Sequence, residues 1–264
     1  MNLDKIEEIY KYSDNRYSDL FDYFLNYCGY EILSTRLTIG FETMRIRDYK
    51  TLSEIKSKED VKYPPSSTNY TRIGKPNQIW FYISDNLKAS LAEMLPIWYS
   101  KINPGENINV VLSTWQIRQP IKVMIIPDLN NINIICKNLD LEAYHKNKDF
   151  WEYICKKFTS TTLDSKNIYE FTSAFANSLM ERANIDGKNV DGIFYPSIQY
   201  PSQSNIALIP STVDLEKIVL MNLFRAVFFK SRILNFKGTP NYDQLSDFKQ
   251  GFYEPDKDKI EWPN

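Results

Sequence analysis

Apolar and aromatic side chains recur every three to four positions between residues 3 and 35 of the chain. Ile6, Ile9 and Tyr10 fall on one helical face, and Leu20 and Phe24 belong to a second apolar stripe. Such spacing predicts two helices. The polar residues at positions 13–15 favour a turn and predict the break between them. The chain therefore opens with a helical N-terminal segment, which we assign to residues 1–40.

Beyond residue 37 the pattern changes to short runs of apolar, β-branched and aromatic residues, as is typical of strands. The predicted strands cover residues 42–47, 79–83, 108–112, 121–126, 192–195, 206–209 and 218–229. Helical spacing between them is clearest over residues 87–98, 149–158 and 168–183. This irregular interleaving favours an α+β fold over a doubly wound sheet. The end of the chain, rich in Asp, Lys and Pro, predicts a loosely held polar tail over residues 236–264.

Composition narrows the class of protein. The 264 residues include 32 Lys and Arg against 33 Asp and Glu, and no basic block offers a surface for nucleic acid. A signal peptide begins with a basic region that is followed by an apolar one. The N-terminus of this chain carries acidic residues there and does not resemble one. The longest apolar runs are too short to span a bilayer or are interrupted by Arg225. We expect a cytoplasmic protein without a membrane or nucleic-acid partner.

Cysteine and histidine usage argues against metal and His-based chemistry. Cys28, Cys136 and Cys155 are odd in number, widely spaced and set among apolar neighbours, so we expect buried free thiols in a reducing compartment. The single histidine, His145, lies in a polar run, and no CxxC pair is present. We therefore expect no metal site and no Cys/His or Ser/His/Asp apparatus. The two common Gly-rich phosphate loops are also missing from the sequence.

Three short segments carry candidate chemistry. In the first, Arg45 and Arg47 are separated by one residue and share a strand face. A guanidinium suits phosphate or carboxylate, although a solvated strand face is the more ordinary explanation of the pair taken alone. The third segment contains Pro196, which cannot donate to a sheet ladder and so marks a strand end or edge. Ser197 then lies at the mouth of that strand, and Asn205 follows shortly afterwards.

The second segment is a predicted loop that contains several prolines and Arg72. It is followed by a predicted strand that contains Tyr82. Ser84 follows as the expected N-cap of the next helix. On that helix Glu93 falls off the apolar stripe, so periodicity favours a solvent-facing glutamate. Tyr82 by itself is typical of a core residue.

The order of these residues resembles the RES domain family, whose name records its Arg, Glu and Ser. The resemblance runs from Arg45 to about Pro210 and is most specific over residues 72–93 and 195–205. It implies an ADP-ribosyltransferase-like mixed β core with surrounding helices, covering residues 41–235. The long spacing between Glu93 and Ser197 implies a helical insertion around residues 100–185.

The family resemblance also implies roles for individual residues. Arg45 would hold the diphosphate or the nicotinamide-side ribose of NAD, and Arg72 would be the second cationic anchor. Tyr82 would stack on nicotinamide. NAD enters as a substrate, and no metal is needed.

The same resemblance places the sugar chemistry on three further residues. Glu93 would stabilise the ribose as positive charge develops, while Ser197 and Asn205 would complete the pocket. Proteins of this kind are commonly toxins that degrade NAD and are covered by a cognate antitoxin protein. Three functions stay open: an NAD glycohydrolase or phosphorylase, a mono-ADP-ribosyltransferase acting on a protein, and a catalytically inactive interaction module.

Overall fold

In the part of the chain that the computed structural model describes, ten strands form one mixed, mostly antiparallel sheet in the order β1-β5-β6-β7-β3-β2-β4-β8-β9-β10. The structure describes residues 2–64, 67–103, 105–128, 141–161, 167–200, 203–229 and 245–263. Neighbouring strands are antiparallel except for β5 and β6, which are parallel. Helices pack on this sheet, and the predicted α+β class is confirmed.

The strands are β1 Ser34–Leu37, β2 Glu42–Tyr49, β3 Phe81–Ser84, β4 Asn107–Ile117, β5 Ile121–Ile125, β6 Gly192–Pro196, β7 Ser204–Leu208, β8 Ile218–Phe229, β9 Leu245–Glu254 and β10 Lys259–Glu261. The α-helices of the described residues are α1 Leu3–Tyr12, α2 Arg16–Asn26, α3 Lys58–Lys62, α4 Leu87–Lys101, α5 Leu141–Lys146, α6 Lys148–Phe158, α7 Ile168–Ile185 and α8 Pro210–Asp214. Short 3₁₀ turns cover Leu52–Glu54 and Pro255–Lys257.

The middle of the sheet is buried on both faces. On one face Ile46, Val110 and Leu112 pack beneath α4 in a small apolar cluster. On the other face Val111 and Trp115 belong to the main core, which α1, α2, α6 and α7 also line. Because successive residues of a strand point to opposite faces, β4 contributes alternately to both clusters. Because the middle of β4 is buried on both sides, its sequence there is nearly continuously apolar.

The N-terminal segment is part of this core. Phe24 of α2 meets Phe171 and Phe175 of α7 edge-on, with ring centroids 5.5 and 5.1 Å apart. Arg182 donates through Nη1 to the carbonyl of Cys28 at 2.6 Å, and β1 then pairs with β5 at one edge of the sheet. The two helices are confirmed at the predicted break, and their apolar faces are covered within the chain itself.

The C-terminal residues are not a loose tail, and that prediction is wrong for the described part. β9 pairs with β8, and β10 folds back on β9. Trp262 donates through Nε1 to the carbonyl of Ile55 at 3.0 Å, and the backbone N–H of Ile260 donates to Lys56 O at 2.6 Å. Backbone pairing between strands therefore orders a polar stretch whose composition had predicted no regular structure. Residues 236–244 of the predicted tail, like Cys136, lie outside the described residues.

The stretch around residues 100–185 is only partly a helical insertion. It contains β4 and β5, and β4 lies between β2 and β8 near the middle of the sheet. Its helical part consists, among the described residues, of α5, α6 and α7. The strands predicted at 108–112 and 121–126 are confirmed, and the helical insertion is wrong for that part of the chain, which completes the β core. Cys28 and Cys155 are buried, and neither forms a disulfide among the described residues, as predicted.

Candidate active site

A cleft opens where two neighbouring strands of the sheet separate. Within the described residues β2 and β3 pair at one position, Met44 opposite Ser84. β2 then continues its pairing with β4, and β3 its pairing with β7. Two side chains bind carbonyls at the separation: Arg45 Nη1 donates to Tyr82 O at 2.7 Å, and Ser90 Oγ donates to Met44 O at 2.8 Å. Since buried carbonyls need donors, these bonds stabilise the open arrangement.

The cleft has a volume of about 620 Å³, which is within the range of ligand pockets. Five of the six residues singled out by the sequence line it: Arg45, Arg72, Tyr82, Glu93 and Asn205. The sixth, Ser197, is buried behind the wall, where its hydroxyl contacts Glu93. Side chains that are far apart in the sequence therefore meet around one cavity.

Glu93 is held by a short chain of hydrogen bonds. Its Oε1 accepts from Ser197 Oγ at 2.5 Å and from Asn205 Nδ2 at 2.8 Å. Ser84 Oγ donates in turn to Asn205 Oδ1 at 2.7 Å, and the Tyr200 backbone N–H donates to Ser197 Oγ at 3.1 Å. Both donors bind Oε1, and no described residue donates to the second carboxylate oxygen, which a ligand can therefore contact.

Two sequence expectations about this wall are wrong. Glu93 is half-buried and faces the cleft, because the polar side of α4 covers the gap between separating strands rather than open solvent. Ser84 is not the N-cap of α4. Asn86 takes that role, since its side chain accepts from the Ala89 N–H at 3.0 Å. Ser84 is thereby left to position Asn205.

Three arginines bring positive charge into the cleft. Arg45 is only 9% exposed, and Arg47 and Arg72 are half-buried. None of them forms an ion pair with a carboxylate of the described residues. Burial, with a smaller effect of the Arg47 charge, lowers the pKa of Arg45 to about 10, so it remains charged at neutral pH. Buried charge without a counter-ion is costly, and an anionic ligand would relieve that cost.

Aromatic rings form another part of the lining. The Tyr82 hydroxyl shares a hydrogen bond with Thr71 Oγ1 at 2.9 Å, which fixes the ring against the loop. Burial raises the pKa of Tyr82 to about 12 and that of Tyr195 well above its usual value, so both hydroxyls stay protonated. Tyr169, at the start of α7, also lines the cleft. These rings offer flat surfaces suited to a heteroaromatic ligand.

Sequence reasoning did not assign Tyr169 or Tyr195 to the site. Tyr195 carried a usable signal, because it immediately precedes Pro196 at the end of a fully buried strand. Tyr169 carried none, since it lies in the stretch interpreted as an insertion. Its place in the cleft depends on how α7 packs beside the loop that holds Arg72.

No group of three or more His, Cys, Asp or Glu side chains in the described part of the chain is arranged to hold a metal ion. No helix in those ranges has the length and apolar character needed to cross a membrane. No protein-family model matches the chain, and no curated protein matches it either.

Proposed function

We propose that the cleft binds NAD and that the protein cleaves the bond between nicotinamide and ribose, on an ADP-ribosyltransferase-like fold. The observation that carries the proposal is that one positioned carboxylate, Glu93, lines the same cleft as the guanidinium groups of Arg45 and Arg47, which form no ion pair within the described residues. The order of site residues, which resembles that of the RES domain family, supports the same assignment.

The proposed reaction breaks the C1′–N bond and expels neutral nicotinamide, which keeps the bonding electron pair. A water molecule or an inorganic phosphate then bonds to C1′ through oxygen; water loses one proton to solvent in doing so. The transition state resembles an oxocarbenium ion. Its chief requirement is negative charge near the ribose rather than an acid for the leaving group.

Glu93 suits this requirement. Its Oε1 is occupied by Ser197 and Asn205, so Oε2 is the oxygen that would bind the ribose hydroxyls and face the developing charge. The tyrosine surface of Tyr82 would hold the nicotinamide ring, and the arginines would bind the diphosphate. Each of these roles is assigned to a residue that lines the cleft.

The test incubates purified protein with NAD and follows free nicotinamide, with and without inorganic phosphate. We expect release by the wild type and a loss of at least about a hundredfold in Glu93→Gln, because that variant removes the carboxylate charge. Glu181→Gln, an exposed glutamate on α7, is the matched control and should retain full activity. The mass of the sugar product separates hydrolysis from phosphorolysis.

Three outcomes would count against the proposal. Absence of nicotinamide release by the wild type would exclude NAD cleavage and leave a binding module. Equal release by the Glu93→Gln and Glu181→Gln variants would exclude the role of the cleft carboxylate. Adenine-labelled NAD that leaves its label on a protein would indicate mono-ADP-ribosyl transfer instead.

A further inference from the structure

Arg45 and Arg47 point to the same side of the sheet. They are cross-strand neighbours of Ser113 and Val111 in β4, and Val111 belongs to the core on that face. Residues two apart on a strand lie about 6.5–7 Å apart. The two guanidinium charges repel each other. Neither group forms a salt bridge within the described residues, and the Asp60 carboxylate interacts with Arg47 only through its charge.

The donors of the three arginines are used unequally. Arg45 donates through Nε to Val61 O at 3.2 Å and through Nη1 to Tyr82 O. No described residue accepts from its Nη2. Arg47 uses Nη1 on Asp60 O, and no described residue accepts from its Nε or Nη2. Arg47 therefore keeps two adjacent donors, the geometry in which arginine grips a phosphate bidentately.

Arg72 is committed elsewhere. Its Nη1 donates to Phe158 O and to Ser160 O, and its Nη2 lies 3.4 Å from the Tyr169 hydroxyl. Its guanidinium also covers the Tyr169 ring, with 5.1 Å between the guanidinium carbon and the ring centroid. These contacts fasten the cleft loop to the carboxyl end of α6, where carbonyls favour a cation.

We infer that Arg47, beside Arg45, is the second contact for a diphosphate group, and that Arg72 is a positioning residue that holds the wall of the cleft. The inference departs from the role that the sequence resemblance implied for Arg72, and it names a residue to which that resemblance gave no part. It rests on the proposed function only for the identity of the ligand as NAD. The diphosphate contact itself can be tested without turnover.

The test titrates inorganic pyrophosphate into the purified chain by calorimetry. We expect Arg47→Gln to weaken binding by about 10- to 100-fold, since it removes a bidentate charge-assisted contact. Arg47→Lys keeps the charge but loses the fork, so its affinity should fall between those of the Gln variant and the wild type. Arg36→Gln, which removes an exposed arginine from edge strand β1, is the matched control and should bind like the wild type.

Arg72→Gln should lower the melting temperature while weakening pyrophosphate binding by less than about threefold, because its contacts are mainly within the chain. If nicotinamide release is measurable, Arg47→Gln should raise the KM for NAD by a similar 10- to 100-fold factor and leave kcat nearly unchanged.

The inference is overturned if a folded Arg47→Gln variant binds pyrophosphate as Arg36→Gln does, or if Arg72→Gln loses as much affinity as Arg47→Gln. It also fails if the wild type does not bind pyrophosphate at millimolar concentration. Pyrophosphate binding that depends on Arg47, in a protein that releases no nicotinamide, would refute the proposed reaction and support this contact.

Discussion

Ser197 provides the sharpest test of how the site works, because it does not line the cleft and its hydroxyl donates to Glu93, which does. Ser197→Ala removes a 2.5 Å hydrogen bond to the carboxylate and leaves the bond from Asn205 in place. We expect the Glu93 side chain to lose its fixed orientation. The expected result is a fall in kcat with little change in the KM for NAD.

The magnitude follows from the type of bond. A hydrogen bond to a charged group contributes about 1.5–3 kcal/mol, so its full loss in the transition state corresponds to about a 10- to 150-fold slower reaction. Ser197 is buried and small, and alanine leaves only a minor void in its place. The effect on activity should therefore exceed the effect on folding.

The assay is the initial rate of nicotinamide release, measured in a double-mutant cycle with Glu93→Gln. Because Ser197 acts through Glu93, adding Ser197→Ala to the Glu93→Gln variant should cost less than about twofold. Ser178→Ala is the matched control for lost packing. Ser178 is buried outside the cleft, and its hydroxyl donates to Phe175 O over 2.8 Å. If the double variant lost activity by the product of the two single-variant factors, the two changes would act independently and the reasoning would be refuted.

Three further predictions concern stability and reactivity. Gly192→Ala should lower the free energy of unfolding by about 2 kcal/mol or more in urea titration, because the new Cβ would collide with Ala207 O in β7; an unchanged midpoint would contradict this packing. Burial raises the pKa of Asp85 from 3.8 to about 6, so the folded chain binds this proton more tightly than the unfolded chain. Unfolding free energy should then fall as pH rises from about 4 to about 6, and a slope unaltered in Asp85→Asn would argue against it. Burial also raises the pKa of Cys28 to about 11, so iodoacetamide at pH 8 should modify it only after unfolding, as read by mass spectrometry; rapid labelling of the native chain would contradict that burial.

The helices were the most predictable part of the fold. Periodicity indicated residues 87–98, 149–158 and 168–183, and α4, α6 and α7 begin within one residue of those positions. Their apolar stripes face a large core, so the local pattern and the tertiary environment agree. β9 and β10 were not predictable, because most of their side chains are exposed and they are held by backbone pairing with β8 and by contacts of Trp262.

For the site, the shared face of Arg45 and Arg47 and the strand end at Pro196 were derivable from local rules alone. The orientation of Glu93 was not. Helical periodicity separates the side of a helix that meets the core from the side that does not, and it cannot distinguish open solvent from a cleft. Here the cleft exists because β2 and β3 separate after one pair, a feature of strand pairing across distant residues.

By itself, the sequence determined the α+β class, the helices and the chemistry of the candidate groups, because these depend on residue type and on spacing within one element. Tertiary structure decided which groups meet: it brought Ser197 and Asn205 to one oxygen of Glu93, and it committed Arg72 to the end of α6 while leaving donors of Arg47 free. Such pairings join residues of high sequence separation. Their distances follow from the packing of whole strands and helices, which no local pattern encodes.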